Sequence, residues 1–181
     1  SEGTLGVATE VVLRLLPRPE AVLTLAAFFP DAGAAARALT RVAEAPVIPR
    51  ALEFIDGGAL RAAAGFLHED LPPGADAMLL IETDGQREAA ARDLLTIEAI
   101  CRNAGASQTT AAGTKLEQDR LWKLRKSISP ALYTLKPKKM NEDTVVPVSR
   151  IPELLQAVGG IADAIRVAAL PAAALPMRTR C

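Results

Sequence analysis

The feature that most constrains the fold is the order in which apolar runs and helical patterns alternate between Ala21 and Ala111. Runs of consecutive apolar residues predict buried strands, and apolar residues spaced three and four apart predict helices. The predicted order is a strand (Ala21–Phe29), a helix with inner residues Ala35, Ala38, Leu39 and Val42, a strand (Arg50–Ile55), a strand (Met78–Thr83), a helix with inner residues Ala90, Leu94, Ile97, Cys101 and Ala104, and a strand (Ser107–Ala111). This order predicts an α+β fold, the ferredoxin-like split βαβ unit, with two helices on one face of an antiparallel sheet.

Further elements surround this unit. A short alanine-rich helix is expected from Gly57 to Leu67. After the unit, the pattern predicts a helix over Leu116–Leu132, a strand over Asp143–Val148, and a helix over Ile151–Ile165 that Ser149 caps. Before it, alternation over Val7–Leu15 predicts a strand, and prolines then indicate a linker. The unit is therefore expected to carry an added helix, strand and helix.

Charge and composition exclude several classes of function. The chain has 21 basic and 21 acidic residues, so no strong field favours nucleic acid. No apolar run reaches the length of a membrane span. The two cysteines, Cys101 and Cys181, show no motif spacing, which is typical of a reduced, cytoplasmic protein. Because the first residue is Ser1, we expect that a natural N-terminus precedes it.

Arg125 is the first candidate for binding a ligand. Helical spacing places it beside the apolar stripe that contains Leu121 and Trp122, and a cation in that position needs an anionic partner. One interpretation is an arginine that extends to water, or to Glu117 or Asp119. The other is an arginine whose planar guanidinium binds a carboxylate ligand.

Two other segments are candidates for binding a ligand. The opening residues Ser1-Glu-Gly-Thr-Leu-Gly6 form a predicted tight turn, whose glycines also allow a phosphate or ring to approach the backbone. The loop from Lys136 to Pro147 is basic, and it is either a solvated loop or part of an anion site.

His68, beside Glu69 and Asp70, lacks a second nitrogen or sulfur ligand, so we predict no metal site there. Cys101 is expected to be a buried, inert thiol.

Taken together, these motifs resemble those of a known family. The opening Glu-Gly-Thr-Leu-Gly-Val, the Leu-Trp-x-x-Arg helix ending at Arg125 and the Asp-x-x-x-Pro pattern of Asp143 and Pro147 are similar to segments of the vanillyl-alcohol oxidase superfamily. The matching branch contains glycolate oxidase subunits, D-lactate dehydrogenases and D-2-hydroxyglutarate dehydrogenases. The resemblance covers most of the chain, and its opening motif is the most specific part.

The resemblance implies a function and a set of roles. It implies an FAD-linked enzyme that oxidises a 2-hydroxy acid by hydride transfer to flavin. Arg125, Ser129 and Lys139 (or Lys138) would bind the substrate, and Glu2, Gly3, Gly6 and Val7 would contact FAD. Residues 1–17 would be the last strand of a flavin-binding domain that lies upstream, and residues 18–165 the substrate-binding domain.

The family pattern also implies what this chain lacks. Histidines that bind a divalent metal or act as a base should follow residue 165, but residues 166–181 contain none, so this tail is expected to be truncated and poorly ordered. We therefore assign no catalytic or metal-binding residue, and expect the isolated chain to be inactive. The alternative is a non-catalytic ferredoxin-like module that binds a ligand or forms a homodimer.

Overall fold

The computed structural model describes residues 3–136, 138, 143–165 and 172–174, of which residues 162–165 and 172–174 are described by their backbone alone. The elements, in chain order, are β1 (Ala21–Phe29), α1 (Ala32–Glu44), β2 (Ala51–Asp56), α2 (Gly57–Leu67), β3 (Ala77–Gly85), α3 (Arg87–Asn103), β4 (Gln108–Ala112), α4 (Lys115–Lys126), α5 (Ile128–Leu135), a 3-10 turn (Val148–Arg150), α6 (Ile151–Ile165) and β5 (Ala172–Ala174).

The sheet confirms the predicted split unit. Its strand order is β4-β1-β3-β2-β5, and all four neighbouring pairs are antiparallel. β1 and β3 lie at the centre, with Leu25 opposite Ile81. The expectation of a poorly ordered tail stays a prediction, while Ala172–Ala174 form the short strand β5, which extends the sheet beyond β2. The backbone of that segment gains ladder hydrogen bonds from the open edge of β2.

One face of the sheet carries the larger core. Alternate residues of the strands, such as Leu25 of β1 and Phe54 of β2, pack under α1 and α3, and Ile151 of α6 closes the same cluster. The predicted inner residues of α1 and α3 are buried, apart from the partly buried Ala104. Asp31 caps α1 by accepting a hydrogen bond from the Ala34 amide at 2.7 Å.

Helices cover the opposite face as well. Ala26, Phe28, Met78 and Leu80 point to this side, where α2 buries Leu60 and neighbouring alanines. Leu124 of α4 and Ile128 of α5 complete the cluster. The expectation of helices on one face thus holds for α1 and α3 but not for α2, α4 and α5. Strands with nearly continuous apolar sequences require helices on both faces of the sheet, because both faces must be kept from water.

The predicted helix over Leu116–Leu132 is two helices. α4 ends at Lys126, Ser127 links the two, and α5 starts at Ile128. Pro130 supplies the physical reason, since proline lacks an amide hydrogen and its ring clashes with the carbonyl four residues earlier in a continuous helix. In the first turn of a new helix, the same residue is tolerated.

Two predicted strands do not form. Residues 7–15 and 143–147 lie in neither a helix nor a strand. Within the described part of the chain, neither segment pairs with another strand, and apolar alternation alone cannot supply ladder hydrogen bonds. Val146 and Val148 nevertheless pack against the larger core, and Ser149 lies inside the 3-10 turn before α6.

Candidate substrate-binding face

Three side chains on one side of helix α4 donate hydrogen bonds to the sheet. Gln118, Trp122 and Arg125 are spaced by four and three residues, so they share one side of the helix. The Gln118 side chain donates to the Val22 carbonyl oxygen at 2.8 Å, which connects the helix to β1. The other two side chains contact carboxylates on β3 and β2. These contacts fix which side of α4 faces the sheet.

The central contact joins Trp122 to Glu82. The indole Nε1 donates to Oε1 of Glu82 at 2.6 Å, and the same oxygen accepts from the Thr24 hydroxyl at 3.0 Å. Arg50 lies on the other oxygen, with its Nε 3.4 Å from Oε2. Glu82 is only 8% exposed, and a carboxylate in that position needs such partners.

Arg125 pairs with a carboxylate of the sheet. Its Nε donates to Oε2 of Glu53 at 2.8 Å. The arginine side chain is 30% exposed and the glutamate side chain 16% exposed, so the pair is largely shielded but open to water on the arginine side. The two terminal nitrogens of the guanidinium lie outside this contact, which engages Nε alone.

The observed partner of Arg125 was not among the predicted ones. Glu117 instead caps α4, where it accepts from the Gly113 and Thr114 amides at 2.8 Å each. These hydrogen bonds, led by the one from the Thr114 amide, lower the pKa of Glu117. Asp119 pairs with Lys115 one turn away. Local sequence suggested these acids, whereas the sheet supplies the partner from 72 residues earlier.

The other predicted substrate residues are Ser129 and Lys139, with Lys138 as the alternative to Lys139. Ser129 is exposed in the first turn of α5, separated from Arg125 by the break at Ser127. Lys139 lies outside the described residues, and Lys138 is exposed. The roles of these residues in substrate binding stay predictions.

The described part of the opening segment, residues 3–17, forms no strand of the sheet. Glu2 is outside the described residues, and Val7 is 87% exposed. Gly3 has a φ of +75°, a conformation that favours glycine, and open space surrounds both Gly3 and Gly6 where a side chain would project. Large aliphatic side chains of the same segment are exposed, namely Leu5, Val11, Val12, Leu13, Leu15 and Leu16.

Sequence reasoning missed Glu53 and Glu82. Each is a carboxylate inside an apolar strand, Glu53 in Ala-Leu-Glu-Phe-Ile and Glu82 in Leu-Leu-Ile-Glu-Thr. An acid flanked by buried residues needs a donor, and that signal was available in the sequence. What the sequence did not show was the identity of the donors, because Arg125 and Trp122 come from a helix distant along the chain.

Other titratable groups of the described chain do not form a second site. No group of three or more His, Cys, Asp or Glu side chains among the described residues is arranged to hold a metal ion. Burial raises the pKa of the Cys101 thiol to about 12, as expected for an inert cysteine. His68 ends α2 with a φ of 55°. Within the described chain, no helix has the length and apolar character needed to span a bilayer.

Comparisons with known proteins agree on one family. Residues 18–173 match the family described as FAD linked oxidases, C-terminal domain. The glycolate oxidase subunit GlcD of Bacillus subtilis is 40% identical over 162 residues, which are 90% of this chain and 34% of that protein. The GlcD subunit of Escherichia coli is 34% identical over 90% of this chain and 33% of its own length. The D-lactate dehydrogenase of Archaeoglobus fulgidus is 32% identical over 84% of this chain and 33% of its own length.

Solved structures share the fold at lower identity. An alkyldihydroxyacetonephosphate synthase superposes with a TM-score of 0.56 and 17% identity, over 80% of this chain and 31% of that one. At that identity the likeness concerns the fold alone. The chain spans about a third of the length of the curated relatives it matches.

Proposed function

Since this chain belongs to the family of FAD-linked oxidases as their C-terminal domain, we propose that it is the substrate-binding part of an oxidoreductase that oxidises a 2-hydroxy acid, such as D-lactate, glycolate or 2-hydroxyglutarate. Arg125 binds the substrate carboxylate. The observation that carries the proposal is the partly exposed guanidinium at the edge of an apolar face, held by only one of its nitrogens in the contact with Glu53.

The chemistry of that contact suits a carboxylate ligand. A guanidinium remains charged at every physiological pH and offers donors in a planar fork, which matches the two oxygens of a carboxylate. Glu53 uses the Nε position, so the Nη edge serves the ligand. The ion pair between Arg125 and the substrate carboxylate holds carbon 2 of the bound hydroxy acid at a fixed distance from the guanidinium. Ser129 and Lys139 add a hydroxyl and a cation to the same ligand.

In such an enzyme the flavin accepts the hydride, while residues of the protein bind and orient the substrate. Gly3, Gly6 and Val7, together with Glu2, are the residues of this chain that hold the flavin. Open space at both glycines supports this role, because a flat ring system approaches a backbone that carries no side chain. The base and any divalent metal come from parts of the enzyme other than this chain.

The exposed opening segment supports a two-domain arrangement. Its exposed aliphatic residues occupy both odd and even positions, as in a strand whose two faces are buried in a larger sheet. We infer that residues 1–17 complete the flavin-binding domain and that residues 18–165 form the substrate-binding domain. Dimerisation and a cytoplasmic location stay predictions.

Steady-state kinetics of the full-length flavoprotein test the role of Arg125. Arg125→Ala should raise KM for the hydroxy acid steeply, with about 2 to 5 kcal/mol lost if substrate and guanidinium pair away from water. Arg120→Ala is the matched control, because Arg120 lies on the same helix and pairs with Glu69 at 3.1 Å on the surface. Its KM should equal that of the wild type.

Two results contradict the proposal. An unchanged KM in Arg125→Ala removes this residue from the substrate site, and an equal rise in Arg120→Ala shows a general effect on α4. A full-length protein that binds no flavin would instead favour a non-catalytic ligand-binding module. The absorbance spectrum of the purified protein decides that point before any kinetics.

A further inference from the structure

We propose that Glu53 is a positioning residue that pre-orients the guanidinium of Arg125 for the substrate carboxylate. This inference rests on the proposed function, because it concerns how the same site binds its ligand. The observation behind it is the direct hydrogen bond from Nε of Arg125 to Oε2 of Glu53 at 2.8 Å, between a helix end and a strand inside the sheet.

The strand gives Glu53 a rigid base. β2 pairs with β3 on one side, where Glu53 lies opposite Leu80, and with β5 on the other, where it lies opposite Ala174. Its neighbours Leu52 and Phe54 are buried in the larger core on the reverse face. A side chain anchored in this way holds its carboxylate in a nearly fixed position.

The contact restricts the long arginine side chain. A free arginine samples many rotamers, and binding a ligand then costs the entropy of ordering it. Because Glu53 holds Nε, the guanidinium plane, and with it the Nη edge, is oriented before the substrate arrives. A bidentate contact requires that orientation. Glu53 therefore acts on substrate binding through Arg125 and need not touch the substrate.

A carboxylate beside a substrate-binding arginine can also compete with the substrate. If Glu53 occupied the place of the substrate carboxylate, its removal would strengthen substrate binding. The use of Nε rather than the Nη edge argues for positioning. The two roles predict opposite changes in KM, so a single substitution separates them.

The test is a double-mutant cycle in the full-length flavoprotein with D-lactate or glycolate, whichever it oxidises. Glu53→Ala should raise KM roughly five- to tenfold with little change in kcat, since orientation of the ligand is lost. In the Arg125→Ala background the same substitution should leave KM unchanged. Glu53→Asp keeps the negative charge but has a side chain too short to reach Nε of Arg125, so it should raise KM similarly. If Glu53→Ala does not fold, the KM of Glu53→Asp tests the positioning role. Glu69→Ala, which removes the surface partner of Arg120, is the control that should leave KM unchanged.

The outcomes distinguish this inference from the proposed function. A KM that falls or stays constant in both Glu53 variants overturns the positioning role while leaving Arg125 as the carboxylate ligand. An equal rise in the wild-type and Arg125→Ala backgrounds also overturns it, because Glu53 then acts independently of Arg125. If Arg125→Ala itself has no effect on KM, the proposed function fails first.

Discussion

Trp122 on α4 and Glu82 on β3 are joined by a 2.6 Å hydrogen bond from the indole Nε1 to a carboxylate oxygen. The bond connects a helix that carries the candidate substrate residue to the centre of the sheet. Thr24 donates to the same oxygen, so one buried carboxylate holds side chains from β1 and α4 at once. The position of Arg125, one helical turn after Trp122, depends on this attachment.

Loss of the indole donor should destabilise the chain. Trp122→Phe keeps an aromatic ring but leaves Glu82 with one fewer donor, and we expect about 1 to 3 kcal/mol less free energy of unfolding. Urea denaturation followed by circular dichroism measures this, since the variant has no tryptophan fluorescence. In a Glu82→Gln background the same change should cost less, because a hydrogen bond to a charged group is stronger. Equal costs in the two backgrounds would mean that the bond contributes little.

Gly57 and Gly65 lie in the same helix and should respond oppositely to alanine. A Cβ at Gly57 would stand 2.6 Å from the backbone carbonyl oxygen of Asp76, too close for any real contact. That backbone is itself held, since the Asp76 amide donates to the Phe29 carbonyl oxygen at 2.8 Å. Gly57→Ala should therefore cost about 1 to 3 kcal/mol of folding free energy.

The matched control is Gly65→Ala, where nothing lies within 4 Å of the added carbon. Alanine favours a helix over glycine, so this variant should gain up to about 1 kcal/mol. Thermal melts of both variants decide the matter, and a Gly57→Ala chain as stable as the wild type would rule out the close approach.

The pH dependence of stability should contain a contribution from Asp56. This residue caps α2 by accepting from the Ala59 amide at 2.7 Å, and desolvation by burial raises its pKa above the ordinary 3.8. The folded state thus binds a proton more readily than the unfolded state. Stability relative to Asp56→Asn is highest below pH 3.8 and falls as pH rises through the folded pKa.

Thermal melts of wild type and Asp56→Asn between about pH 3.5 and 7 measure this difference. Asparagine retains the capping oxygen and does not titrate. The melting temperature of the wild type should therefore drop relative to the variant as the pH rises. A wild type that gains on the variant over this range would show that hydrogen bonds to the cap outweigh its desolvation.

Cys101 should react with thiol reagents only when the chain unfolds. Its side chain is fully buried and its pKa is raised to about 12, so almost no thiolate is present or accessible at pH 8. The Cys181→Ser variant isolates Cys101, the only other cysteine. In this variant, the reaction of Cys101 with an aromatic disulfide, followed by the absorbance of the released thiolate, should be slow in buffer and fast in denaturant. Fast labelling in buffer would show that α3 opens readily.

Much of the fold was predictable because the strands and helices of the split unit depend on local patterns. The run Ala21–Phe29 is observed with the predicted bounds, and α6 spans Ile151–Ile165 as expected. Asp31 caps α1 by accepting from an amide only three residues later. Such features depend on residues within a few positions of each other, and the sequence displays them directly.

The failures involve partners distant along the chain. Alternation over residues 7–15 suggested a strand, but a strand exists only where another strand pairs with it. The second layer of helices was missed because consecutive apolar residues do not reveal what covers each face. For Arg125, a charge beside an apolar stripe indicated the need for an anion, and the nearest acids in sequence were the wrong candidates.

By itself, the sequence determined the order of the elements within the split unit, its antiparallel sheet and the requirement that Arg125 find a negative partner, since periodicity, capping and the cost of an unpaired charge are local properties. Only the tertiary structure decided that Glu53 meets the guanidinium and that Glu82 receives the indole. Strand register sets both pairings, because it brings β2 and β3 side by side beneath one side of α4 and so joins residues that lie 72 and 40 positions apart.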